Sequence, residues 1–165
     1  MTASDRRVTL DVAHQERIAA SRQQILEAEL DVAWNVREAG HRLDSLEHDE
    51  AGLPLTWEMT ARAGLVRTAF RGELVASDPV VMRALGPRRL VETCTTTVGH
   101  EADAQGRLLV QWRLVVEITP TSALEHWLTR RLAPWQRRSL QRSLARQMTR
   151  WAAAIEAASG VSAAN

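Results

Sequence analysis

Residues 8–18 alternate: Val8, Leu10, Val12, His14, Glu16 and Ile18 share one face, and Thr9, Asp11, Ala13, Gln15 and Arg17 the other. That two-residue period predicts a strand with one buried side. The pattern then changes. In "SRQQ", Ser21 precedes Gln24 by three residues, a capping box that starts a helix at Arg22. "RQQILEAELDVAWNVREAG" continues to Gly40, a natural helix stop, and reads as a helix broken in two near Leu30–Ala33 or as one unbroken helix.

From Gly40 to Pro120 the helical period is gone. "HRLDSLEHDEAG" and "LPLTWEMTARAG" read as strands that end in turns at Ala51–Gly52 and Ala63–Gly64. "LVRTAFRGELVASDP" reads as another, ending at Asp78–Pro79, and "VVMRALGP" is short and ambiguous. "RRLVETCTTTVGHEADAQGRLLVQWRLVVEITP" is the clearest hairpin, with its turn at Asp103–Gly106. On its second arm Leu108, Val110, Trp112, Leu114, Val116 and Ile118 line one face. The final element, "TSALEHWLTRRLAPWQRRSLQRSLARQMTRWAAAIEAASG", is a long helix capped by Thr121 or Ser122 and stopped by Gly160. Pro134 should kink or divide it. The last residues, 161–165, read as a frayed, disordered tail behind a single domain spanning 1–160.

Strand, two short helices, a run of antiparallel strands and a long helix make an α+β chain. A curved antiparallel sheet has one face to cover, and the last helix alone is long enough to cover it. Such an arrangement leaves an elongated cavity between sheet and helix. The order resembles the START-like, or helix-grip, superfamily (SRPBCC), and within it the polyketide cyclase/dehydrase group. Three stretches carry the resemblance: "RIAASRQQILEAELD", "LGPRRLVETCTTTV" and the terminal "LTRRLAPWQRRSLQRSLARQMTRWAAAIE". The resemblance implies a helix-grip fold, a six- or seven-stranded curved sheet wrapped around the C-terminal helix. It also implies a START-like ligand-binding domain for a hydrophobic small molecule. The chain departs from the commoner pattern in lacking a Trp-Pro pair after the first helices and in having few sheet aromatics.

Composition narrows the chemistry by exclusion. A single cysteine, Cys94, excludes an intrachain disulfide framework and a multi-cysteine metal site. The five histidines show neither H-E-x-x-H nor another zinc spacing, and no nucleotide fingerprint or nucleophile elbow occurs, so no metal and no cofactor is expected. No apolar run approaches the roughly 20 residues that span a bilayer, and the N-terminus has no signal-peptide core. A cytoplasmic protein with no membrane span is the expectation. All 21 basic residues are arginine and tyrosine is absent, which reads as the bias of a GC-rich, bacterial genome.

Charge is uneven along the chain. The formal net charge is +1, yet Trp127 to Trp151 holds seven arginines and no acid, leaving −6 for the rest. After Pro134, Leu140, Leu144, Met148, Trp151 and Ile155 fall on one helix face, with Arg138, Arg142, Arg146 and Arg150 opposite, the solvated back of the helix. Before it, Leu124, Trp127, Leu128, Leu132 and Trp135 make an apolar stripe with Arg131 at its centre, and Arg137 falls on the apolar side of the second segment. A guanidinium facing a cavity needs a ligand oxygen or a carboxylate to offset desolvation; the alternatives are pairing with Glu16 or snorkelling to the cavity mouth.

Taken together, the expected catalytic groups are His14, Glu16 and Arg131, doing acid–base work on an enolisable β-keto substrate. The expected ligand-binding groups are Trp57, Met59, Phe70, Cys94, Thr96, Trp112, Trp127, Trp135 and Arg137, with Leu90 on the same row as Cys94 and Thr96. The resemblance implies cyclisation or dehydration of a polyketide-like secondary metabolite. Carriage of a lipid or quinone without catalysis is the alternative, and a basic interaction module the third. The expected partner is a hydrophobic small molecule, with no nucleic acid; a homodimer is compatible with the sequence.

Overall fold

The computed structural model describes residues 7–63, 66–86, 93–102 and 107–159. Along the chain run β1 (Val8–Ile18), α1 (Arg22–Leu30), α2 (Val32–Glu38), β2 (Arg42–His48), β3 (Pro54–Ala63), β4 (Val66–Ser77), β5 (Val80–Leu85), β6 (Thr93–Ala102), β7 (Leu108–Ile118) and α3 (Ala123–Ala158). The strands form one seven-stranded antiparallel sheet in the order β1-β7-β6-β5-β4-β3-β2. Strands β2 to β7 each pair with the next, and the return of β1 beside β7 leaves β1 and β2 as edges.

Local chemistry sets the element ends. Ser21 and Gln24 close the capping box of α1. Asp31 ends α1 and caps α2, its carboxylate accepting from the Trp34 N–H at 2.9 Å, so the helical segment breaks into two. Gly40 and Gly52 take positive φ, 74° and 80°, where a side chain would be strained. "VVMRALGP" contains β5, paired on both sides. Of the two candidate caps for α3 the residue used is Ser122, in a capping box with Glu125.

One expectation is corrected. Pro134 does not divide the last helix, which runs 36 residues without interruption; the Arg130 carbonyl simply loses its i+4 donor. The helix reaches Ala158, with Ser159 as its C-cap. Gly64, Leu90, the Asp103–Gly106 turn, Gly160 and the 161–165 tail lie outside the described residues.

Register gives the sheet a single inner face. His14 pairs with Trp112, Trp112 with Val98, Val98 with Val80, and on the far side Gly72 pairs with Trp57 and Trp57 with Leu46. Directly paired residues share a face, and Val80 and Ala84 share one on β5, where Ala84 pairs with Gly72, so this face runs from edge to edge. Helix α3 lies along β1 on that face, held by three bonds in line. Gln141 Nε2 donates to the Ala13 carbonyl at 2.6 Å, the Thr149 hydroxyl to Glu16 Oε2 at 3.1 Å, and the Ala19 N–H to Glu156 Oε1 at 2.9 Å. Under it Ile18, Ile25, Val80, Val98, Val110, Trp112, Leu144, Met148, Trp151 and Ile155 form the main core. A smaller cluster of Val32, Val36 and Trp57 lies toward β2 and β3, and Leu74 and Met82 pack against both.

Candidate functional site

Between the inner sheet face, α2 and the C-terminal half of α3 lies a cavity of about 320 Å³. Trp57 and Met59 of β3, Val80, Met82 and Ala84 of β5, and Cys94, Thr96 and Val98 of β6 form its floor. Trp112 and Leu114 of β7 continue it, and Val32, Val36, Leu144, Met148 and Trp151 form the roof. Volume and lining are those of a site for a small apolar ligand. At Trp57 the wall depends on a glycine: the ring lies over Gly72 on the paired strand, in the space a Cβ would fill.

The roof is anchored by a polar corner. Trp151 meets Trp112 edge-on, with ring centroids 5.3 Å apart, and donates its indole N–H to Asn35 Oδ1 at 3.0 Å. Asn35 in turn donates to the Ala28 and Glu29 carbonyls, both at 2.9 Å, which satisfies the α1–α2 junction. The corner thereby fixes the angle at which α3 covers the sheet.

Three ionisable groups that the sequence reading passed over lie at this site. Glu29 and His100 bury their side chains against each other, 3% and 2% exposed. His100 Nε2 sits 2.9 and 3.1 Å from the two Glu29 carboxylate oxygens. Burial pushes the Glu29 carboxyl up from 4.5 to about 7, against the opposing pull of the His100 hydrogen bond and charge. Glu29 lines the cavity, and so does His41, whose Nδ1 is buried without a hydrogen-bond partner among the described residues. Desolvation holds His41 below the usual imidazole range, partly opposed by a hydrogen bond with the Gly40 backbone. The cavity therefore presents a carboxyl poised near neutrality and a neutral imidazole.

Their signals were in the sequence. Ile25, Glu29, Val32 and Val36 follow the spacing of one helical stripe, so Glu29 occupies an apolar position. His100 shares the parity of Thr96 and Val98 on β6. His41 had no such signal, because it follows the glycine that ends α2.

Of the expected ligand-binding residues, Trp57, Met59, Cys94, Thr96 and Trp112 line the cavity. Phe70 pairs with Met59 in the sheet but is not part of the lining. Burial raises the Cys94 thiol to about 11, which keeps it protonated and a poor nucleophile. His14 and Glu16 lie on the inner face, at the β1 edge. His14 stacks on Trp112 with centroids 6.1 Å apart, and its Nε2 is 3.0 Å from Glu16 Oε2. Neither contributes to the cavity lining, because Trp112 and α3 stand between the β1 edge and the cavity.

The first half of α3 does not face the cavity. Trp127 is 58% and Trp135 65% exposed, and Arg131 is exposed with its guanidinium 5.9 Å from the centroid of the Trp127 ring. Arg137 is exposed as well, in a shallow surface depression with Arg138, Gln141 and Arg142. The reason is angular: at about 100° per residue, Trp135 points ~180° away from Leu144, whose face meets the sheet.

No family model and no curated protein sequence matches the chain; its likenesses are structural. It is similar to the aromatase/cyclase ZhuI from Streptomyces sp. R1128, at 16% identity and a TM-score of 0.61, over 94% of this chain and 98% of that one. It is similar to the di-domain ARO/CYC protein StfQ from the steffimycin biosynthetic pathway, at 15% identity and a TM-score of 0.68. There 90% of this chain is covered, which spans 50% of the two-domain protein. A START superfamily protein from Mycobacterium smegmatis matches at 14% identity and a TM-score of 0.58, over 81% of this chain and 93% of that one. At such identities the likeness is one of architecture: a seven-stranded antiparallel sheet gripping a long C-terminal helix, the helix-grip fold of START-like proteins.

Proposed function

We propose that the protein binds a hydrophobic small molecule in this cavity and promotes cyclisation or dehydration of a polyketide-like secondary metabolite. The observation that carries the reading is the pairing of a largely apolar cavity with Glu29, near neutrality, and a neutral His41 in the same lining. Ring closure of a β-keto chain requires a proton to leave a carbon between two carbonyls and a proton to reach the new alkoxide. A carboxyl titrating near 7 serves as base in one form and acid in the other. His41 offers a hydrogen-bonding nitrogen to a ligand oxygen, and the Thr96 hydroxyl in the lining a further one. The fold likeness to two aromatase/cyclase structures supports the reaction class.

This assignment moves the proton work from His14, Glu16 and Arg131 to Glu29 and His41. The test is turnover of a synthetic poly-β-ketone thioester by Glu29→Gln and His41→Ala variants. Loss of about 100-fold or more in either is the expected result. Unchanged turnover in both, with loss in His14→Ala, returns the role to the β1 edge.

Carriage without catalysis is the second reading, favoured by the tight engagement of Glu29 with His100. Native mass spectrometry separates the two: a co-purifying lipid or quinone with no turnover supports carriage.

A further inference from the structure

Helix α3 carries a second apolar face that none of the described residues covers. Taking Leu144 as the inward direction, Leu124, Trp127, Leu128, Leu132 and Trp135 fall in one sector ~140° wide on the far side of the axis. All five are exposed, from 42% at Leu128 to 66% at Leu124. The inward positions of the same turns are His126, Thr129, Ala133 and Gln136, a largely polar set. The apolar stripe thus changes sides near residue 136. Pattern alone makes the two halves look like one amphipathic helix interrupted by a proline; the structure separates them.

The outward sector continues. Arg138, Arg142, Arg146 and Arg150 fall in the same ~140°, and all four are exposed. None pairs with a carboxylate among the described residues; Arg142 and Arg150 instead lay their Nε on the carbonyls of Arg138 and Arg146. One face of the helix therefore reads as tryptophan and leucine for its first turns and arginine for the rest, over ~40 Å. Arg131 sits inside the apolar part, against Trp127.

We infer that this face docks the protein on an anionic lipid bilayer, with Trp127 and Trp135 at the headgroup–acyl boundary and the arginines on lipid phosphates. Indole rings favour that boundary, and arginine beside an apolar stripe is the composition of a helix lying in a membrane surface. Two other occupants fit less well. A second copy packed parallel about a two-fold axis sets the five arginines of this face against five, and packed antiparallel it sets them against the partner's apolar stripe. A nucleic acid answers the arginines but leaves five large apolar side chains without a partner. The inference does not depend on what occupies the cavity, since the outward face and the cavity lie on opposite sides of α3.

The test is co-sedimentation of the full chain with vesicles of phosphatidylcholine alone and of phosphatidylcholine with phosphatidylglycerol. Binding to the anionic vesicles only, falling steeply with added salt, is expected. Trp135→Ala and Trp127→Ala should each weaken it on the order of 10-fold, and Arg142→Glu combined with Arg146→Glu should abolish it. Far-UV circular dichroism of the variants should match the parent, because these side chains are exposed. No binding, equal binding to both vesicles, or binding indifferent to the tryptophans overturns the inference. A dimer dissociated by Trp135→Ala, or displacement from vesicles by stoichiometric duplex DNA, overturns it in favour of a second copy or a nucleic acid.

Discussion

The two halves of α3 use the same residue types for opposite ends. Trp151 is 5% exposed, edge-on to Trp112 and hydrogen-bonded to Asn35. Trp135, on the same helix, is 65% exposed. What separates them is azimuth. The C-terminal half turns Leu144, Met148, Trp151 and Ile155 onto the sheet, whereas the N-terminal half turns its leucines and tryptophans away from it. Bonds at Gln141, Thr149 and Glu156 fix the rotation of the second half against β1, and helical continuity then dictates that of the first. An apolar stripe is thus a statement that something will be covered, and the rigid helix decides whether the chain's own core does it.

The comparison breaks most visibly at its two tryptophans. Trp151→Ala should cost about 3–5 kcal/mol in urea unfolding, while Trp135→Ala should stay within ~0.5 kcal/mol. Similar losses in both would mean that the first half is packed after all. At the cavity the effect is pH-dependent. Because the Glu29 carboxyl is raised from 4.5 to about 7 on folding, the folded state binds more protons across that window. Its burial therefore destabilises increasingly as pH rises from about 4.5 to 7. Glu29→Gln removes the dependence, so its stability relative to the parent should climb by about 3 kcal/mol between pH 4.5 and 8. A flat difference in denaturation series across those pH values contradicts a buried, protonatable Glu29.

A smaller effect tests the cavity wall. In Gly72→Ala the new methyl meets the Trp57 ring, which must move; a cost of about 1–3 kcal/mol and weaker uptake of an apolar fluorescent probe are expected. Gly99→Ala, where nothing lies within 4 Å of the new Cβ, is the control in the same sheet. Smallest of all, Arg146→Ala on the outer face should change stability by less than ~0.5 kcal/mol, measured by thermal melting, even where it changes binding to anionic vesicles.

Much of the fold was legible because its signals are local. The alternation of residues 8–18 coincides with β1, the Ser21–Gln24 box starts α1, and the alternation of Leu108 to Ile118 coincides with β7. The site was only partly legible. Trp57, Met59, Cys94, Thr96 and Trp112 were found because strand parity assigns a face, and every strand shares one inner face. Glu29 and His100 were passed over because each looks ordinary beside its neighbours; only the packing of α1 onto β6 brings them within 2.9 Å.

By itself, then, the sequence determined the order of elements, the inward parity of the strands and the presence of two apolar stripes and an arginine stripe on the last helix. All of these depend on backbone period and on residues a few positions apart. The tertiary structure alone decided which stripe of α3 meets the sheet, that Arg131 lies outside the cavity, and that a carboxyl from α1 is buried against a histidine from β6. Each of those depends on the rotation and position of a rigid element relative to others far away in sequence, which no local pattern encodes.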